Sequence, residues 1–165
     1  MLYTAFVVAF MVVVVTSDLL YRRIPNAITV TGFCVGLVFH SFNHTMTSAF
    51  VGAAVGFVVG FLMFYVAAIG AGDLKLLVAL GAILGIELWT TAMVLTVIAA
   101  GLMGLVQAIG SRKLGSTLRN MGAILVHMWK FGFRPHPELN VRNKALIRSP
   151  FGVAAGVGVL LTVLR

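Results

Sequence analysis

Apolar residues run along most of this chain in long unbroken stretches, separated by short polar or Pro- and Gly-marked breaks. Six stretches read as candidate membrane spans, at about residues 2 to 20, 27 to 42, 48 to 69, 74 to 86, 88 to 110 and 150 to 164. The first, third and fifth approach or exceed the ~20 residues that cross ~30 Å of hydrocarbon. The second, fourth and sixth are shorter, so they extend into their flanks, thin the bilayer or stay partly re-entrant. Between the fifth and sixth, "LGSTLRNMGAILVHMWKFGF" places Leu118, Met121, Leu125, Met128 and Trp129 at helical intervals against Arg119, Asn120, His127 and Lys130. That spacing predicts an amphipathic helix lying in the membrane interface. The following "RPHPELNVRNK" has two prolines and no apolar period, the mark of a loop.

Composition sharpens this picture. With 61% hydrophobic residues, four acidic side chains among 165 and a mean hydropathy of +1.09, the chain is expected to be an integral membrane protein. The expected fold class is all-α, a polytopic bundle of about six transmembrane helices plus the interfacial helix. Its length fits a single membrane-embedded domain over 1–165. The apolar run from Leu2 to Val15 has no basic segment before it and no small-residue cleavage site after it, so it reads as a retained span.

Net charge is +8, and its placement matters more than its size. Six spans put Arg22, Arg23, Lys75 and segment 111 to 149 on one side; of twelve Lys and Arg, all but Arg165 then share a face. The positive-inside bias makes that face cytoplasmic and puts both termini outside. Nucleic acid is not an expected partner, because no soluble basic module is present; membrane lipid is. The single Cys34 supports neither an intrachain disulfide nor a cysteine zinc cluster, and it is expected to pack as a small apolar residue. Glycines recurring every fourth residue at 52, 56 and 60, at 81 and 85, and at 152 and 156 predict helix faces in close packing.

Against this background the two aspartates stand out. Asp18 ends the first span in "VTSDLLYRRIPN" and Asp73 opens the fourth in "IGAGDLK". Two complete spans separate them, so both carboxylates fall on the same face. Two structural roles stay open: Asp18 paired to Arg22 at i+4, and Asp73 capping its own helix. A shared chemical role accounts better for equal depth, because ionisable groups at the margin of a span are costly. Two carboxylates within a few ångströms hold one proton between them. The ionised member then draws a proton from water while the other donates to the developing oxyanion, which hydrolyses an amide. The stretch Gly70-Ala71-Gly72 would allow unusual backbone angles and close contact with an extended substrate.

These residues resemble a known family. "GAGDLK" is similar to the Gly-x-Gly-Asp-x-Lys motif of the type IV prepilin peptidases, which are intramembrane aspartic peptidases, and "YRRIPN" after Asp18 is similar to their first motif. "SPFGVAAGVG" resembles their Pro-(aromatic)-Gly-x-Ala stretch in the last span. The resemblance implies that Asp18 and Asp73 are the catalytic pair and that Gly70, Gly72, Lys75, Arg23, Pro25 and Asn26 are supporting motif positions. Read from chemistry, Pro25 suits the first turn of span two, Arg23 is equally an orientation anchor, and Lys75 is expected to snorkel to phosphate rather than bias the pair. Larger family members carry two Cys-x-x-Cys pairs associated with N-methylation of the product, whereas this chain resembles the short CpaA/TadV-like form of Flp pilus systems. The resemblance implies an endopeptidase that removes the leader of a prepilin or pseudopilin substrate after Gly, with no cofactor, no metal and no methyl transfer.

Other residues are expected to be bland. His40 and His44 lie at the outer end of span two without a third ligand nearby, His136 and Glu138 lie on the loop, and Glu87 is a loop residue on the opposite face. Other readings stay open: a Gly-x-Gly-Asp protease for different membrane peptides, a small transporter relaying ions through the aspartates, and a secretion-assembly component. A transporter should carry polar groups deep in its spans or related halves, and neither is evident.

Overall fold

The computed structural model describes residues 2–132, 134, 137–139 and 150–165. Among them six helices follow one another: α1 (Leu2–Tyr21), α2 (Asn26–Phe42), α3 (Met46–Tyr65), α4 (Ala71–Gly110), α5 (Leu114–Phe131) and α6 (Phe151–Val163). No strand occurs among the described residues. The fold is a helical membrane bundle. By length and composition α1, α3 and α4 are each able to cross a bilayer, and α2 and α6 are shorter apolar helices. Most of the loop read from "RPHPELNVRNK", including His136 and Asn140, lies outside the described residues.

The fourth and fifth expected spans are the two halves of α4, which is broken at Gly85, where the backbone takes φ 68 and ψ 170. This region of backbone space is open to glycine almost alone. The chain reverses there: Trp89 Nε1 donates to the carbonyl of Leu77 at 3.1 Å, although twelve residues of straight helix would set them about 18 Å apart along the axis. Residues 71–84 and 86–110 are therefore the two arms of a hairpin. The break falls before the position expected from Glu87, which is exposed within the second arm rather than in a loop. Gly85 serves the reversal as well as the close packing its spacing predicts, its backbone meeting Gly52 of α3.

Three other helices furnish the groups that the break leaves over. Without a continuous helix, the carbonyl of Ile83 accepts from Tyr3 Oη of α1 at 3.1 Å and pairs with His40 Nε2 of α2 at 3.0 Å. The N–H of Ile86 donates to Ser48 Oγ of α3 at 3.1 Å. His40 is thus a buried structural residue whose other ring nitrogen pairs with Thr45 Oγ1 at 2.7 Å. His44 sits in the turn after α2 with φ 56.

The first arm is the centre of the bundle. Leu76, Leu77, Leu80 and Ile83 are fully buried against Val7, Met11 and Val14 of α1 and Val159 of α6. The predicted glycine faces account for how close the helices come. The Gly52 and Gly81 backbones meet so tightly that a Cβ on either would overlap the other helix, and a Cβ on Gly36 of α2, outside the predicted series, would lie 2.7 Å from the Ala82 carbonyl oxygen. On the other flank, α6 packs its Gly158 against Ala92 and Thr96 of the second arm and its Gly156 against Val15 of α1. Large apolar side chains such as Phe50, Phe57 and Phe61 of α3 point outward, as expected where lipid replaces water.

One helix end differs clearly from the expectation, and two others that match it close in the same way. The third span stops at Tyr65 rather than running to 69, because Ala67 adopts φ 57, its N–H bonding Phe64 O and that of Ala68 bonding Met63 O. The same double closure ends α2 at His44 and α4 at Arg112. It is the left-handed helix terminus usually made by glycine. Cys34 stands on an exposed face of α2, and α5 has no buried residue at all, with Trp129 92% exposed, consistent with an interfacial helix.

Candidate active site

The site forms at the end of the bundle opposite the Gly85 reversal. Asp18 lies in the last turn of α1 and is buried, with 6% of its surface exposed. Its Oδ2 accepts the backbone N–H of Gly152 at 2.6 Å, across 134 positions of sequence. The neighbouring Val153 N–H lies near the same carboxylate. Pro150 precedes α6 and offers no side-chain cap, so the first turn of α6 has N–H groups in need of a partner. Asp18 supplies it from another helix. Burial of the carboxylate is thereby matched by donors that favour negative charge.

Asp73 is the third residue of α4 and is half-buried. Its Oδ2 accepts the Gly70 N–H at 3.0 Å, closing a capping box on its own helix. The capping role left open by the sequence is thus realised, and it holds one oxygen of Asp73. The two aspartates are close enough for the charge of Asp18 to act on Asp73, and Arg22 acts similarly on Asp18. Each carboxylate sits at a helix N-terminus, Asp73 at that of α4 and Asp18 at that of α6.

The connection between α1 and α2 runs beside the start of α4. Ser17 Oγ donates to the Arg23 carbonyl at 2.9 Å, fixing the turn that starts at Arg22 with φ 48. The turn buries Ile24, whose carbonyl lies beside Gly72. Pro25 stands just before α2, one position earlier than expected, with Asn26 as the first helical residue. Lys75 Nζ donates to Asn26 Oδ1 at 2.8 Å, so two residues singled out separately in the sequence join α2 to α4. The side chains of Arg23 and Pro25 are exposed.

The glycines at 70 and 72 depart from expectation. Gly70 has ordinary extended angles, φ −84 and ψ 165, and Gly72 is helical, so neither supplies an unusual backbone. A Cβ on Gly70 would come no closer than 3.4 Å to Asp73 Oδ2, and one on Gly72 no closer than 3.5 Å to Ile24 O. Those are ordinary contacts. The fold alone does not require glycine at either position, in contrast to Gly52, Gly81 and Gly85.

The sequence did not assign Gly152, Val153, Ser17 or Ile24 to the site. For Gly152 the signal was the "SPFGVAAGVG" stretch; the other three contribute position rather than a distinctive side chain. Among the described residues no cluster of three or more His, Cys, Asp or Glu side chains forms. The remaining polar features, His40, Tyr3 and Ser48, belong to the opposite end.

No curated protein and no solved structure matches the chain. A family model does match, over residues 5–109, and it describes the Type IV leader peptidase family. The matched segment holds Asp18, Asp73, Gly70, Gly72, Lys75, Arg23, Pro25 and Asn26, and it ends before α5 and α6. With well over half its length matched, and with both aspartates inside the match, this membrane helix bundle belongs to the Type IV leader peptidase family.

Proposed function

We propose that the chain is an intramembrane aspartic endopeptidase in which Asp18 and Asp73 form the catalytic pair, and that it removes the leader of a type IV, Flp-like prepilin or pseudopilin after Gly. One observation carries the reading. The chain's two aspartates, on helices far apart in sequence, come close enough at one end of the bundle for one charge to act on the other, and Asp73 adjoins Gly70 and Gly72. Each has an oxygen engaged by a backbone N–H. Space left by two glycines that the fold does not need is space for an extended peptide.

In the reaction, a water placed between the carboxyl groups loses a proton to the ionised one as its oxygen attacks the scissile carbonyl. The protonated carboxyl gives its proton to the carbonyl oxygen. Collapse of the tetrahedral species then breaks the C–N bond: the leaving amine takes the proton that came from water, and a hydroxyl of the new carboxyl group returns a proton to the carboxylate that gave one. The backbone N–H groups on Asp18 and Asp73 hold the two side chains for these transfers without occupying a titrating group.

The distribution of Lys and Arg supports an inner-membrane location with the site facing the cytoplasm. There the pair meets a bond just ahead of a substrate's membrane helix, and anionic lipid holds the basic leader at the same face. A chain with one cysteine lacks paired Cys-x-x-Cys motifs, so the product N-terminus is proposed to stay unmethylated.

The test is reconstitution of the chain in proteoliposomes with a Flp-type prepilin, read by mass spectrometry. Asp18→Asn and Asp73→Asn should each abolish processing with abundance and insertion unchanged. Substantial cleavage by either variant overturns the catalytic pair. A cut away from the Gly, or a methylated new N-terminus, overturns the substrate or the methylation claim. Ion flux lost in the variants while cleavage persists would favour a transporter.

A further inference from the structure

We infer that the first turn of α6 is a positioning element for catalysis, holding Asp18 through backbone N–H groups, and that Gly152 is glycine because this grip tolerates no side chain. The inference rests on the aspartic-pair reading and extends it to a helix outside the segment that matches the family model.

Three observations lead there. The Gly152 N–H to Asp18 Oδ2 distance of 2.6 Å is short for a hydrogen bond from nitrogen, and the bond is buried. A Cβ on Gly152 would stand 2.8 Å from that same oxygen and 3.0 Å from the Asp18 Cβ, so any larger residue displaces the carboxylate or withdraws the helix. Finally, α6 cannot adjust easily. Its Gly156 lies against Val15 of α1, and its Gly158 lies against Ala92 and Thr96 of the second arm of α4. The helix is wedged between the two elements it joins, and its donors are as rigid as the bundle.

The physical consequence follows from how a carboxylate works as a proton acceptor. Two oxygens on one planar group turn together, so fixing Oδ2 fixes the direction of the lone pairs on Oδ1. A rotation of the group changes the approach of water without changing where the substrate binds. Misplacement of a reacting group by about 1 Å costs on the order of 10²-fold in rate. The effect belongs in kcat, with KM almost untouched.

The experiment compares three forms of the full-length protein in proteoliposomes with the same prepilin, beside wild type and Asp18→Asn. Gly152→Ala keeps the N–H and adds the Cβ. A backbone amide-to-ester replacement at Gly152, with glycolic acid in place of glycine, exchanges the N–H for an oxygen that cannot donate and adds no side chain. Gly156→Ala imposes a similar Cβ, 2.6 Å from Val15 Cγ2, one turn further along the same face. The expected result is a kcat lowered at least about tenfold in the first two, with KM within about twofold, and a much smaller kcat loss in the third. If Gly152→Ala fails to fold, the ester form decides the matter alone. An ester form with wild-type kcat overturns the inference, as does a loss in Gly156→Ala equal to that in Gly152→Ala. Asp18→Asn keeps the two claims apart: activity in that variant sinks the aspartic pair, whereas an inactive Asp18→Asn beside a fully active ester form sinks only the role of α6.

Discussion

Replacing Gly85 with alanine should be among the most damaging single methyl additions in this chain. Two costs add at that position. An L-residue held at φ 68 and ψ 170 occupies backbone space that costs about 1–3 kcal/mol. Its Cβ would also lie 2.5 Å from Ser48 Oγ and 3.3 Å from His40 Cε1, an overpacking worth about 1–3 kcal/mol. The expected loss is about 2–6 kcal/mol, a large share of the ~5–15 kcal/mol that holds a typical protein folded. Reversible unfolding in mixed micelles, followed by circular dichroism, measures it. Ser48→Ala separates the two costs. Alone it strands the Ile86 N–H and costs about 1–3 kcal/mol. Combined with Gly85→Ala it removes the atom that the new Cβ meets, so the double variant should lose less than the sum by at least about 0.5 kcal/mol. A loss below about 1 kcal/mol for Gly85→Ala, or strict additivity with Ser48→Ala, would refute the account of the break.

Trp89→Phe removes the buried donor to Leu77 O and should cost about 1–3 kcal/mol in the same assay; an unchanged stability would mean the two arms are not tied there. Lys75→Met breaks an exposed contact to Asn26, so its effect on stability should stay below about 1 kcal/mol, and a larger loss would make that link part of the bundle's core energetics. In a Cys34→Ala background, a cysteine at Ser116 should resist an impermeant thiol reagent added to intact cells, while cysteines at Asn43 and Glu87 react. Labelling at position 116 from outside would overturn the proposed orientation.

Apolar runs revealed the helices because lipid imposes a length and a composition on anything that crosses it, and the amphipathic period of α5 survived intact from sequence to structure. The end of α3 was less legible. It closes on Ala67 in the left-handed region, where a glycine would have marked the stop and alanine does not, whereas α2 and α4, closing likewise on His44 and Arg112, stop where their apolar runs do. Gly85 was read for its close packing alone, which its contacts with Gly52 and Ser48 bear out, while its reversal of the chain went unread, and the charge at Glu87 drew the expected loop past the true break. Within the site, the aspartates were conspicuous because the chain has no others. Their partners were not, because a backbone N–H belongs to every residue but proline. Nothing in the letters 151–153 says that this turn meets residue 18; that contact follows only from how α6 wedges between α1 and α4.

The reversal at Gly85 also sets an order of events during synthesis. Residues 71–84 make a rod of about 21 Å, short of the ~30 Å of hydrocarbon, and the rod begins with Asp73 and Lys75. Such a segment gains little by entering the bilayer alone, and continued straight through Gly110 it would extend to about 60 Å, roughly twice the thickness available. It is committed to the membrane together with 86–110, as a hairpin whose tip is already bent. Until the second arm has left the ribosome, Asp73 has no stable depth to occupy, and α6 emerges later still. A nascent chain can therefore carry both aspartates and still lack the arrangement that brings them together.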